Sequence, residues 1–258
     1  MFLAMDTVFD QCSVAILDGS GKVISCQTET GKRQQTQQIL PMIDAALSEC
    51  QLRLADMQAL IFNRGPGAFS GIRINTAVVQ ALSVAHDLPC VGVSSLQAIA
   101  QCAYQKHGLT QVYSALDARM QQVYFGHYVL QEQQLDDQLQ GSQLENQLEA
   151  SQFNNLIMQP VTNSDSAIKN SDDTDGTERL LDYNSQTLLN IPIVGNGAAF
   201  LTLRDEQISH EDVWPDAAAI GQLGIVQFMT SGGTGAAQAL PKYLRNQAWK
   251  TLKEQGKA

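Results

Sequence analysis

The chain lacks the features that most directly announce a chemistry. No apolar run approaches the roughly 18 residues of a membrane span, and the opening MFLAMDT reads as a strand rather than a basic stretch before a long apolar one. Neither a spanning helix nor a secretory leader is expected. No CxxC pair occurs among Cys12, Cys26, Cys50, Cys90 and Cys102. Most of them sit in apolar or helical patterning, as buried free thiols of a cytoplasmic protein do. His86, His107, His127 and His210 form neither HxxxH nor HExxH, so no metal site is expected. No GxSxG elbow presents a serine nucleophile. An extended basic face is also missing: 16 Lys and Arg stand against 26 acids, a net charge of −10, which argues against strong binding of nucleic acid by this chain alone.

The acidity is local. Residues 131–190 hold eleven acids against Lys169 and Arg179, and the rest is almost neutral. The same region is rich in Gln, then in Asn, Ser, Asp and Thr, so it buries too little apolar surface to offset its ordering entropy. It reads as an expanded, partly mobile insert at about 131–188 with some short ordered pieces.

Outside it, 258 residues that are 44% hydrophobic suffice for one large domain or two lobes. FLAMD, CSVAILD and KVISCQTE read as three strands, the last two a hairpin around Gly19-Ser20-Gly21. QQTQQILPMIDAALSEC (34–50) has helical spacing, with Pro41 suggesting a bend or a late start. A strand at 59–63, a helix at 72–86, the strand PCVGVS and a helix at 95–107 complete an α/β half with a mixed sheet. QVYSALDAR and QQVYFGHYVL pair around Arg119-Met120, and IPIVGNGAAF is a strand into a glycine turn. DAAAIGQLGIVQFM is a helix weakened by Gly221 and Gly224, followed by a mobile TSGGTG. The expected boundaries are 1–108 for an N-terminal lobe and 109–258 for a C-terminal lobe, with the helix near 216–229 a candidate to pack back on the first.

FNRGPGAFSGIRIN (62–75) resembles a phosphate-binding turn between strand and helix. Ser70 stands where a Walker loop and the GxGxxG fingerprint both require glycine, and no lysine follows. Two readings remain: an anion site using Arg64, Arg73 and the helix N-terminus, or a rigid turn in which Gly65, Pro66, Gly67 and Gly71 permit positive φ and close packing. Asp6 ends the first strand, where sugar kinases and actin-like ATPases carry an aspartate and a glycine-containing phosphate turn; here Val8 replaces that glycine. Asp117 ends a second-half strand, but DARM supplies no glycine. Only VGNGA, with Gly195 and Gly197, keeps a turn suited to an adenosine. Asp6 and Asp117 are thus either remnants of a nucleotide fold or ordinary turn-stabilising acids.

AMDTVFDQCSVAILD (4–18), TQQILPMID (36–44), NRGPGAFSGIRI (63–74), GVSSLQAIA (92–100), ALDARMQQVYF (115–125) and YLRNQAWK (243–250) together resemble the TsaB (YeaZ) family. The resemblance covers the chain apart from 131–190. It implies an α/β, actin/Hsp70-like (ASKHA) two-lobe fold with ribonuclease H-like mixed sheets flanked by helices. It implies a non-catalytic subunit of the machinery that makes N6-threonylcarbamoyladenosine beside the tRNA anticodon. Such a subunit binds and activates a TsaD-like catalytic subunit, works with a TsaE-like ATPase, and meets tRNA only through the complex. It has no cofactor of its own, since ATP and metal belong to the partners, and it resides in the cytoplasm; the apolar stripes of its helices leave a homodimer of the free chain open. The implied partner interface lies on the 34–50 and 72–86 helices: Thr36, Ile39, Leu40, Ile43 and Leu47, with Arg73, Ile74, Ala77, Val78 and Ala81. Gln35 and Asn75 depart from the family's histidine and glycine within that expected region. The alternative is an active ATPase or kinase of the same fold, and the missing histidine pair argues against a metallopeptidase.

Overall fold

The computed structural model describes residues 1–31, 35–131, 157–161, 178–187 and 189–245. Most of the 131–188 insert lies outside the described residues. Its described pieces supply two strands, below.

The first sheet has the order β3-β2-β1-β4-β5, built from β1 (Phe2–Asp6), β2 (Gln11–Leu17), β3 (Val23–Thr30), β4 (Ala59–Asn63) and β5 (Cys90–Val93). β1, β2 and β3 run antiparallel in sequence, while β1, β4 and β5 are parallel. All residues of β1 and β4 are buried, because helices cover both faces, and strands covered on both sides are apolar throughout. Leu3, Met5, Val14, Ile16, Leu60 and Phe62 face α1 (Gln35–Glu49) and α2 (Phe69–His86). Phe2, Ala4, Leu17, Ile61 and Val91 face α4 (Ala217–Ser231).

The second sheet repeats the plan. β6 (Gln111–Asp117) and β7 (Gln122–Leu130) form the antiparallel pair. β8 (Met158–Pro160) and β9 (Glu178–Asp182) both pair with β7, and β10 (Ile193–Val194) and β11 (Ser209–His210) follow in parallel beyond β6. A hairpin centred on the first strand, flanked by two parallel strands, thus occurs twice, which is the actin-like two-lobe plan. α3 (Ser95–His107) covers one face of this sheet, with Leu96, Ile99 and Ala103 against Val112, Leu116 and Tyr128.

Three local expectations change. α1 runs unbroken through Pro41 instead of starting after it. Ile39, Met42, Ile43, Ala46 and Leu47 all bury on the sheet, which offsets the ~3 kcal/mol that an interior proline costs. TSGGTG is pinned to the sheet, since the Thr234 and Cys90 main chains exchange hydrogen bonds of 2.7 and 2.9 Å. Gly221 and Gly224 are points of contact rather than weak points in a helix. A Cβ on Gly221 would lie 2.3 Å from Leu17, and one on Gly224 2.2 Å from Cγ2 of Ile61, so the glycines let α4 lie directly on the sheet.

Gly224→Val therefore destabilises the chain by about 2 kcal/mol or more through overpacking, despite removing a helix glycine. Gly19→Ala, which meets nothing within 4 Å, leaves stability unchanged. Urea midpoints of the two variants give the comparison.

Candidate functional site

The glycine segment is organised by Asn63 at the end of β4. Its Oδ1 accepts hydrogen bonds from Gly65 N at 2.9 Å and Ser95 Oγ at 2.7 Å, and its Nδ2 donates to Asp6 Oδ1 at 3.1 Å. Gly65 has a φ of +96° and is joined to Pro66 by a cis peptide bond. Gly71 is not part of the turn: α2 begins at Phe69, so Gly71 lies in its first turn. Its lack of a side chain serves packing, because a Cβ there would stand 2.2 Å from Thr7 O and 2.8 Å from Val8 Cα. A Cβ on Gly67 would stand 2.4 Å from Val8 Cγ1. Thr7 Oγ1 donates to Gly71 O at 2.9 Å, locking the two backbones together. Val8, fully buried, thus fills the space between the β1–β2 turn and the glycine segment, where a phosphate turn would need room.

Arg73 lies flat over Phe69, 3.8 Å from the ring centroid, with its Nε 3.4 Å from Tyr243 Oη. Asn75 is buried and donates to Met5 O and Asn63 O. It braces the lobe interior and does not reach the outer face expected for it. Gln35's side chain lies outside the described residues.

Asp6 is fully buried, and burial pushes its carboxyl up to about 7 against the lowering effect of hydrogen bonds from Val8 N and Asn63. Its Oδ2 has no hydrogen-bond partner among the described residues.

The second-lobe counterpart is also closed on itself. Asp117 accepts from Arg119 N at 2.8 Å and Tyr183 Oη at 2.7 Å, and pairs with the Arg119 guanidinium at 3.0 Å. Arg119, Met120 and Gln121 all have positive φ, so the DARM turn is left-handed. Gly195 and Gly197 press on β6: their Cβ atoms would meet Ala115 O at 2.4 Å and Ala115 C at 2.6 Å. Asn196, between them, accepts from Asp117 N at 3.0 Å.

The tail joins the two turns. Lys242 N donates to Arg64 O at 2.8 Å, and Arg245 reaches Gln122 Oε1 at 2.8 Å and Arg119 O at 3.2 Å. Between the turns lies a cavity of about 970 Å³ walled by Phe9, Phe69, Tyr124, Trp214 and Tyr243, with Asp117 and Arg119 at its edge.

The expected interface residues divide. Ile39, Ile43 and Leu47 are buried in the lobe's own core, a correction that follows from α1 turning its apolar stripe onto the sheet. Ile74 and Val78 are half-buried against the same core. Thr36, Leu40, Arg73, Ala77 and Ala81 are exposed. Of these, Leu40 (53% exposed), Ala77 and Ala81 join Phe69 (52%) and Val84 (76%) as outward apolar residues on α1 and α2.

A family model described as TsaD, tRNA N6-adenosine threonylcarbamoyltransferase, matches residues 22–253. The tRNA threonylcarbamoyladenosine biosynthesis protein TsaB of Haemophilus influenzae is 33% identical over 97% of this chain and 96% of its own length. This chain belongs to the TsaB family. The TsaB of Escherichia coli is 42% identical over 49% of this chain and 54% of its own. The crystal structure of a Pseudomonas aeruginosa protein described as similar to peptidase YeaZ superposes with a TM-score of 0.75, at 30% identity, covering 95% of this chain and 99% of that one. Against that TsaB background, Tyr183 is the residue with no sequence signal; Asn63 and Arg245 lay inside matched motifs and Asn75 stood out as a departure, but the distant partners of all four come only from the fold.

Two expectations follow. Gly71→Ala lowers stability by about 2 kcal/mol or more in denaturant unfolding, although alanine favours a helix by ~1 kcal/mol, because the obstructing atoms belong to the backbone. Between about pH 4 and pH 7 the folded chain keeps a proton on Asp6 that the unfolded chain releases, so stability falls as pH rises through that window. The loss attributable to Asp6 reaches about 4 kcal/mol above pH 7. Asp6→Asn removes this slope, and unfolding measured at pH 4.5 and pH 8 shows the difference.

Proposed function

We propose that this chain is the non-catalytic, activating subunit of the complex that makes N6-threonylcarbamoyladenosine next to the tRNA anticodon. It binds a TsaD-like catalytic subunit through α1 and α2, and the complex includes a TsaE-like ATPase. ATP and the catalytic metal are assigned to those partners, tRNA is met only within the complex, and the setting is the cytoplasm. The family membership supports the pathway. The observation that carries the non-catalytic reading is Val8, wedged beneath Gly67 and Gly71 in the space of a phosphate turn. Asp117, held by Arg119 and Tyr183, supports it from the second lobe.

The exposed apolar residues of α1 and α2 support the docking face. Helices of this kind pack by interdigitating their side-chain ridges, and a pair from each subunit supplies a contact of ordinary size. The same face is the one through which a free chain would pair with a second copy. The cavity between the turns favours a second reading, nucleotide binding by this chain, and calorimetry with Mg-ATP tests it: micromolar affinity with turnover replaces the proposal.

The docking test uses exposed positions. Leu40→Glu with Ala81→Glu keeps the unfolding temperature of the parent and loses at least ten-fold in affinity for the TsaD-like subunit, with a matching loss of modification activity in the reconstituted complex. Retention of both binding and activity places the contact elsewhere.

A further inference from the structure

The four histidines are widely spaced in the chain, yet two of them meet. His107 is the last residue of α3, where Gly108 caps the helix in the left-handed conformation. His210 lies in β11 and accepts a main-chain hydrogen bond from Gly195 at 2.9 Å. Their rings stack with centroids 4.0 Å apart and planes inclined by 16°. Asp212, two residues beyond His210, brings its carboxylate to the same point, so that one ligand atom from each of the three lies within 4.8 Å of the others. Lys106 Nζ holds Asp212 Oδ2 at 3.0 Å, which orients the carboxylate.

We propose that His107, His210 and Asp212 bind a divalent transition-metal ion of the zinc, nickel and copper class. Two imidazoles and one carboxylate suit such ions, whereas calcium and magnesium favour oxygen ligands throughout. A tetrahedral ion with bonds of about 2.1 Å sets its ligand atoms about 3.4 Å apart. Closing the cluster to that spacing requires the stacked imidazoles to turn out of their parallel arrangement, and the three side chains are exposed or half-buried. Lys106 plays the orienting part that outer carboxylates and amines play around metal ligands. The fourth position is left to water. The ion ties the end of α3 to the edge strand of the second sheet, two elements far apart in the chain. Because it binds the folded chain and not the dispersed ligands of the unfolded one, it raises stability with metal concentration. The site is separate from the proposed docking face and adds to the proposed function without depending on it.

Calorimetric titration of the metal-stripped full chain with zinc chloride at pH 7.5 is the test, with cobalt as a spectroscopic probe. One equivalent binds, and the unfolding temperature rises with zinc. His107→Ala and His210→Ala each weaken binding by at least about ten-fold and abolish the thermal shift, while Asp212→Asn weakens it less. All three variants unfold at the parent temperature in EDTA, which separates loss of metal from loss of fold. Binding that persists unchanged in the His107→Ala, His210→Ala double variant overturns the proposal. So does the absence of stoichiometric binding, or a cobalt–thiolate absorption band that disappears in Cys26→Ser.

Discussion

The contact on which most of the first lobe depends is the close approach of two backbones, at Thr7–Val8 and at Gly67–Gly71. A main-chain oxygen sits within 2.2 Å of where a side chain on Gly71 would begin, and the Thr7 hydroxyl closes the gap with a hydrogen bond. This sets the exit angle of α2 from β4. That angle directs Val79 and the half-buried Ile74 and Val78 into the core, and turns Ala77, Ala81 and Val84 outward. Asn63 holds the approach from beneath, where one amide serves Asp6, Gly65 and Ser95 at once. A segment resembling a cradle for phosphate is therefore a clamp that a valine fills.

The two lobes share a plan but close it differently. In the first, apolar packing excludes water from the turn after β1. In the second, the matching turn after β6 stays at the rim of a cavity and its aspartate is neutralised by Arg119. Lys242 and Arg245 then bridge the two turns, and Lys242 also approaches Glu178 on β9 at 3.4 Å. This gives residues 242–245 a physical role as a strap between lobes.

Much of this was legible in the residues. The strand–helix order of the first lobe followed from periodicity, and Val8 in place of glycine told that the phosphate turn was altered. The family motif located the two outward helices. The side of each helix was harder to read. Ile39, Ile43 and Leu47 form an apolar stripe whether they face a partner or their own sheet, and periodicity is the same in both cases. The bracing roles of Asn63 and Asn75 were not legible, because their hydrogen bonds reach strands up to 70 residues away. The pairing of His107 with His210 was invisible for the same reason: ligand spacing in sequence detects sites on one helix or loop, not sites made by the return of the chain. Gly221 and Gly224 were misjudged because propensity describes the isolated helix, while the packed one is governed by what lies 2.2–2.3 Å from the absent side chains.

α4 is encoded after the second sheet but covers the first. Phe2, Ala4, Ile61 and Val91 acquire their cover from Ala217, Ile220, Leu223 and Ile225. During synthesis the N-terminal sheet therefore emerges with one apolar face open, and it stays open until more than 200 residues have left the ribosome. The first lobe cannot mature alone and hand a finished unit to the second. The chain has to close as a whole, with its unfinished face exposed in the meantime to chaperones or to other nascent copies.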